Sequence, residues 1–259
     1  MQSSFKTIHL EITHRVARIV LAQPPLNVLT IAMMKEIAAA VNQIGNLKDV
    51  CAIAFSAAPG SKAFSAGVSI EEHRPQLAYQ MIEAFHAIFH ELNSVSKPVV
   101  ALVTGAALGG GCELVAFADI VIAGQSARFG QPEIRLGVFP PAACVMLPRI
   151  IGDKKAAELI LTGELIGAEA ARYYRLVNHV VADEEIEKKA EEIFDKLRQH
   201  SSVALQMTRR VLNATQNLGF EEAMKQAESV YLNDLMSCKD PAEGIEAYIA
   251  KRQPEWKHR

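Results

Sequence analysis

Two glutamates 20 residues apart offer the clearest chemistry in this sequence: Glu113 in Gly109-Gly110-Gly111-Cys112-Glu113-Leu114 and Glu133 in Phe129-Gly130-Gln131-Pro132-Glu133-Ile134. Each stands where the chain reverses. The first follows a glycine triplet whose bare backbone lets N–H groups come up against a ligand, and the second lies beside a proline on a loop that an apolar run then buries. Two carboxyls in different surroundings can divide acid and base work, one kept protonated and the other ionised. Taken singly, each also has a plainer use: a helix-start carboxylate meeting the dipole for Glu113, an ion pair or helix cap for Glu133.

The triplet and the Gly105-Ala106-Ala107-Leu108 before it are neither a dinucleotide fingerprint nor a phosphate loop, because G-x-G-x-x-G is missing and no Lys-Ser or Lys-Thr follows. Free N–H groups at a helix start, reinforced by the positive end of its dipole, suit an oxyanion. A tight turn packed against a strand fits the same glycines. Phe64-Ser65-Ala66-Gly67-Val68-Ser69 offers a second backbone donor or a plain turn, and without G-x-S-x-G its serines are poor nucleophiles. His86 and His90 stand four apart near Glu83, but H-E-x-x-H is absent and Phe85, Ile88 and Phe89 surround them, so they read as a packed or solvated pair and no metal is expected.

The elements that must hold these residues alternate between strand and helix. Ile8 to Ile12 and Val16 to Leu21 form an opening hairpin around Thr13-His14-Arg15. Thr30 caps a helix running to Gly45, Val50 to Phe55 is a buried strand, and Ser56 to Gly67 is a long loop. A helix follows on Leu77, Met81, Phe85, Phe89 and Leu92, then a strand over Val99 to Thr104. A short helix from Cys112, a strand over Ile120 to Ala123 and a loop from Gly130 to Pro141 put both glutamates at strand-to-helix junctions, where α/β folds place ligands. From Asp183 the pattern turns helical: Glu185 to Leu197, Val203 to Ala214, Phe220 to Leu235, and Ala242 to Lys251 with Asp240 as its cap, Pro241 in the first turn and Glu243 three residues after the cap. In the third of these, Phe220, Met224, Ala227, Tyr231 and Leu235 give one face to bury, on this chain or on another subunit.

Composition narrows the class. At 259 residues, half of them apolar, the chain supports one large core, and a net charge of −2 without a basic block argues against a nucleic-acid partner. Cys51, Cys112, Cys144 and Cys238 are scattered without a CxxC, so neither zinc nor a disulfide framework is indicated. The start, Met1-Gln2-Ser3-Ser4-Phe5-Lys6, lacks the character of a secretion signal, and no apolar run reaches the ~20 residues needed to cross a bilayer. A soluble, cytoplasmic protein with no membrane partner is the expectation.

Together, Ala63-Phe64-Ser65-Ala66-Gly67, Ala107-Leu108-Gly109-Gly110-Gly111-Cys112-Glu113-Leu114, Ala118-Asp119-Ile120-Val121-Ile122-Ala123 and Phe129 to Gly137 resemble the crotonase (enoyl-CoA hydratase/isomerase) superfamily in order and spacing. Leu161-Thr162-Gly163-Glu164, Arg175 to Val181 and Tyr248 to Pro254 extend the resemblance over nearly the whole chain. It implies an α/β fold: a crotonase-like core of repeated ββα units over residues 1–198, and a helical C-terminal trimerisation region over 199–259. The implied assembly is a homotrimer or dimer of trimers. The implied ligand is an acyl-CoA thioester, with coenzyme A part of the substrate and no separate cofactor.

Carried over by residue, the resemblance puts the two N–H donors to the thioester oxygen, the oxyanion hole, on Val68 and Gly110. It makes Glu113 the base that activates water and Glu133 the acid that protonates carbon. Ala66, Gly67, Ser69, His73, Gln131 and Phe139 fall around the substrate. Tyr248 and Lys251 match positions that reach the CoA phosphates of a neighbouring subunit. The chain departs from common hydratases at Ser69, where they carry Asp, at Glu71-Glu72-His73, and at Gly137-Val138-Phe139-Pro140-Pro141-Ala142-Ala143-Cys144, which adds bulk and removes flexibility. These departures resemble the cyclohexa-1,5-diene-1-carbonyl-CoA hydratases of anaerobic aromatic degradation, and imply hydration of a cyclic dienoyl thioester; a straight-chain enoyl-CoA hydratase and a catalytically silent acyl-CoA-binding relative are the alternatives.

Overall fold

The computed structural model describes residues 5–259, so Met1 to Ser4, part of the start read for a leader, lies outside the described residues. Strands β1 (Ile8–Thr13) and β2 (Val16–Leu21) pair antiparallel around His14 and Arg15, both in the left-handed region, as expected for the tight reversal between them. Helix α1 (Ile31–Gly45) starts where the Thr30 hydroxyl accepts from Met33 N, and ends at its glycine. Its Met33, Met34, Ile37, Val41 and Ile44 recur at helical spacing and are fully buried.

A two-strand-plus-helix motif then recurs three times. Strand β3 (Ala52–Ala57) leads to β4 (Ala63–Ser65), a 3-10 turn Ile70–His73 and helix α2 (Pro75–Val95). Next, β5 (Val99–Val103) leads to β6 (Ala106–Leu108) and helix α3 (Gly110–Phe117), and β7 (Ile120–Gly124) to β8 (Arg128–Gly130), a 3-10 turn Pro132–Leu136 and helix α4 (Pro141–Ile151). The rest is α5 (Asp153–Thr162), β9 (Leu165–Gly167), α6 (Ala168–Tyr173), β10 (His179–Val181), α7 (Ile186–Arg198), α8 (Ser202–Ala214), α9 (Phe220–Ser229), which runs on into a π-helical stretch Val230–Leu235, and α10 (Asp240–Ile249).

The first strand of each unit joins a six-stranded sheet, ordered β1-β2-β3-β5-β7-β10, that is parallel from β2 onward; the second joins a four-stranded sheet, ordered β4-β6-β8-β9. Strands buried on both faces read as apolar runs, which is why Val99–Val103 carries no alternation. One side of the large sheet packs with α1 and α2 in the main core, and the other is covered by Ile186, Ala190, Ile193 and Phe194 of α7. Each such Ile or Phe side chain, moved out of water, stabilises the fold by roughly 1.5–3 kcal/mol.

The long loop over 56–67 therefore holds a strand, and the loop over 130–141 a 3-10 turn; three-residue strands are too short to show a period. Helix α3 begins at Gly110, two residues before the expected Cys112. Asp240 does not cap α10: it is the first helical residue after Lys239, and its buried carboxylate accepts instead from the Ser201 hydroxyl and from the amides of Lys257 and His258. Asp240 thus clamps the final segment onto the start of α8, a long-range use invisible to a local capping pattern. Helix α8 is tied to the core by Arg209, whose Nε meets Asp119 Oδ2 at 2.6 Å and whose Nη1 donates to the Leu92 carbonyl at 2.9 Å.

Candidate active site

Strands β4, β6 and β8 lie side by side, so the segments leaving their C-terminal ends, 66–69, 109–111 and 131–133, meet in space although up to 67 positions separate them. Each glycine of the triplet permits a different close approach. Gly109, with φ 50° and ψ −124°, a conformation open to glycine, has the Glu133 carboxylate lying directly on its Cα, where a Cβ would collide with Oε1. A Cβ on Gly110 would come within 2.8 Å of Val68 Cγ2 and 3.1 Å of Phe85 Cζ, and one on Gly111 within 2.7 Å of the Ser65 carbonyl. Any side chain at these positions would push the three segments apart.

Two backbone donors are left over. The bridge between Leu29 and Val68 is made by Leu29 N to Gly67 O at 2.9 Å and Ser69 N to Leu29 O at 3.0 Å; in a parallel bridge of this kind the N–H of Val68 points to the opposite side. Gly110 N opens α3, where no preceding carbonyl is placed to accept it. These donors are neighbours: a Cβ on Gly67, φ 97°, would lie 3.5 Å from Gly110 N. Asn27 shapes this wall, its amide donating to Ala63 O, Phe64 O and Ser61 Oγ while Ser65 Oγ donates to its carbonyl and accepts from Gly67 N. Nothing in the local sequence around Asn27 signals that role: its side-chain oxygen accepts locally from Gln23 N, but the contacts that shape the wall are to residues 34 to 38 positions away.

Glu113 is 3% exposed, and Ala143 N, in the first turn of α4, donates to its Oε1 at 2.6 Å. Burial pushes its carboxyl up to about 8; the amides of Ala143 and Ala142 act in the opposite direction, and the nearby Glu133 adds to the rise. Glu133 is 9% exposed, its Oε2 has no partner, and burial raises it too, opposed by a backbone amide and by the charge of His73. Both acids thus sit buried in one site, and Glu133 keeps a carboxyl oxygen not committed to the protein. Beside them Cys112 is fully buried and its thiol is pushed up to about 12, chiefly by burial, which keeps it protonated.

Of the residues that the sequence proposes, Ala66, Gly67, Val68, Ser69, Gly110, Glu113, Gln131 and Glu133 converge here. Gln131 is fully buried, and neither its amide nitrogen nor its oxygen has a well-formed hydrogen bond. His73 closes the 3-10 turn that follows Ser69, with Nδ1 2.9 Å from the Ser69 carbonyl. Phe139 is 64% exposed on the segment between the Glu133 turn and α4. Tyr248, 85% exposed, and Lys251 stand at the end of α10, and no contact among the described residues links them to the glutamates within one chain. The Ala143 amide is a partner that sequence reading missed, although the small pair Ala142-Ala143 after two prolines was a signal for close approach at a helix start. His86 is half-buried with Nε2 unpartnered and its pKa lowered by burial and by His90, and no group of three or more metal-ligating side chains occurs among the described residues.

Comparison with known proteins shows what the whole chain is similar to. The family model described as enoyl-CoA hydratase/isomerase matches residues 11–259. A probable mitochondrial enoyl-CoA hydratase of Dictyostelium discoideum is 36% identical over 255 residues, 97% of this chain and 91% of that protein. The cyclohexa-1,5-dienecarbonyl-CoA hydratase of Thauera aromatica is 31% identical over 258 residues, 99% of this chain and 98% of that one. A crystal structure of the enoyl-CoA hydratase from Bacillus anthracis superimposes with a TM-score of 0.92 at 29% identity, over 98% of this chain and 100% of that one.

Proposed function

The chain belongs to the enoyl-CoA hydratase/isomerase family and is a hydratase-type lyase, and from that premise we propose that its substrate is a cyclic dienoyl thioester of the cyclohexa-1,5-diene-1-carbonyl-CoA type, placing it in aromatic degradation. The reading rests on one observation above others: two buried carboxyls with raised pKa values stand beside two unused backbone N–H groups. The thioester oxygen binds between Val68 N–H and Gly110 N–H, which stabilise enolate charge as water adds. Removing one such donor typically costs ~3 kcal/mol of barrier.

In this reading Glu113, steadied by Ala143 N, takes a proton from water as the oxygen attacks, and Glu133 delivers its proton to carbon. Coenzyme A enters and leaves as part of the substrate, and no separate cofactor takes part. The cyclic acyl group is favoured by the segment after Glu133, where Pro140, Pro141 and Ala142 stiffen the entry to α4 and the exposed Phe139 supplies a flat apolar wall. Phe220, Tyr231, Leu232, Tyr248 and Ile249 are all more than half exposed in the single chain. A homotrimer or dimer of trimers, in the cytoplasm, would cover them and bring Tyr248 and Lys251 to a neighbour's CoA.

The test is kcat/KM over a panel of linear and cyclic enoyl-CoA thioesters with product analysis. Preference for the cyclic dienoyl thioester is expected. A much higher value for crotonyl-CoA would make this a straight-chain hydratase, and acyl-CoA binding without hydration of any member would make it a silent relative.

A further inference from the structure

Segments 25–31 and 62–72 run side by side, and the hydrogen bonds between them form a ladder around Val68. Lys62 N donates to Pro25 O at 2.8 Å, Ala66 N to Leu26 O at 2.9 Å, Leu29 N to Gly67 O at 2.9 Å and Ser69 N to Leu29 O at 3.0 Å. The last rung differs in kind: Ile31 N donates to Glu72 Oε2 at 2.8 Å, joining the first residue of α1 to the 3-10 turn Ile70–His73. Val68, whose N–H is one of the two unused donors, lies between the two partners of Leu29 and four positions before Glu72.

The two sides of that rung are not held alike. Helix α1 has its own cap, the Thr30 hydroxyl on Met33 N, and its Met33, Met34, Ile37 and Ile44 are buried in the core. The turn buries none of its four residues, and Ile70 is 66% exposed, so apolar packing does not fix it. Within the turn, Glu72 N and His73 Nδ1 both donate to the Ser69 carbonyl, at 3.1 and 2.9 Å, which makes Ser69 and the turn one unit. Glu72, half-buried, ties that unit to the N-terminus of α1, where an otherwise unpaired N–H and the positive end of the helix dipole both favour a carboxylate. The other donor, Gly110 N–H, is set separately by α3 and by the close packing around the glycine triplet.

We propose that Glu72 is a positioning residue for the oxyanion hole: its bond to Ile31 N anchors the turn to α1 and, through Ser69, holds the Val68 peptide at the angle that aims its N–H, beside that of Gly110, at the thioester oxygen. Without this bond the turn hangs from the Leu29 rungs alone and the Val68 peptide tilts. The loss then falls on one donor of the two, with α1 and α3 left in place. This rests on the reading of Val68 and Gly110 as the donors of a hydratase.

Two substitutions separate this role from a cap on α1. Glu72→Ala deletes the acceptor, and Glu72→Gln keeps one, its amide oxygen, without the charge. On whichever thioester the wild type hydrates, Glu72→Ala is expected to lose at least ~10-fold in kcat, short of the roughly 100- to 1000-fold that follows deletion of a whole donor, and Glu72→Gln to retain most of the activity. The readout that a merely structural role would not move is the near-ultraviolet band of cinnamoyl-CoA bound at saturation, in a Glu113→Gln parent that slows its hydration. Hydrogen bonds to the thioester oxygen polarise the conjugated system and shift that band to the red. Adding Glu72→Ala should lessen the shift, and adding Glu72→Gln should preserve it. An undiminished shift with Glu72→Ala, whatever its kcat or Tm, would overturn the proposal, and so would equal losses in the two variants. No red shift in the parent would remove the oxyanion hole and this inference with it. A wild type that hydrates no thioester, in a protein that still shifts the band, would remove the hydratase reading alone, and the band would still decide the role of Glu72.

Discussion

At the scale of single residues, burial makes the two carboxyls reactive and also makes them costly. Glu113→Gln and Glu133→Gln should each lower kcat by at least ~100-fold while the KM of the thioester moves far less, because general acid–base contributions are of that order. Steady-state kinetics checks this, and near-normal turnover in either variant would make that carboxyl structural. The pH dependence follows in sign. The two carboxyls titrate as a coupled pair and the active form carries one proton between them, so kcat/KM should be bell-shaped in pH, with the limb that reports Glu113 lifted by burial far above the usual carboxylate range, to about 8. Linkage gives a further sign. Because Glu113 is raised from 4.5 to about 8 on folding, its contribution to stability is full below the lower value and is lost as pH rises through the upper one. Thermal melts at alkaline pH should therefore find Glu113→Gln more stable than the wild type, by roughly 2–4 °C or more. The acids were legible in the sequence as a spaced pair; the Ala143 amide that holds Glu113 was not, because it acts across 30 positions through an N–H that every residue but proline carries.

At the scale of elements, three strands of three residues each do the positioning. Their ends lie side by side only because each preceding strand, β3, β5 and β7, runs parallel in the larger sheet and delivers the chain to the same edge. The hairpin, α1, α2 and the buried strands were readable from periodicity and capping. The short strands and the 3-10 turns were not, since a segment of three to five residues carries no period and its form is imposed by neighbours. The glycine triplet lies between these cases: its freedom was evident, but the separate partner of each glycine was not. Gly109→Ala places a Cβ where Glu133 Oε1 lies and forces alanine into a glycine conformation. It should therefore lower kcat by about the factor seen for the loss of Glu133, ~100-fold, with circular dichroism showing the fold retained. An active, folded Gly109→Ala enzyme would show that the Glu133 carboxylate need not occupy that position.

At the scale of the whole molecule, the C-terminal helices are held to the core by few but specific groups. Arg209 is buried against Asp119, which is partly exposed, and the Leu92 carbonyl, so Arg209→Leu should cost about 2–3 kcal/mol, less than a fully buried pair, as read from denaturant midpoints. The apolar stripe on Phe220, Met224 and Tyr231 was legible as a face needing cover, and in one chain it stays exposed. Light scattering should therefore find an oligomer, and Tyr248→Ala should raise the KM for CoA thioesters if a neighbour's site uses it. The acyl group was legible only as a resemblance of the 137–144 segment; in the proposed reading exposed Phe139 and the stiff 140–142 stretch would select it by shape, which no spacing of residue types encodes. The most direct measurement of the central claim is hydration of the cyclic dienoyl thioester in 18O-labelled water by wild type, Glu113→Gln and Glu133→Gln, followed by mass spectrometry. The account predicts one labelled oxygen per product with wild type, faster than with crotonyl-CoA, and none at comparable rates with either variant. Unlabelled product, or equal labelling by all three proteins, would contradict it.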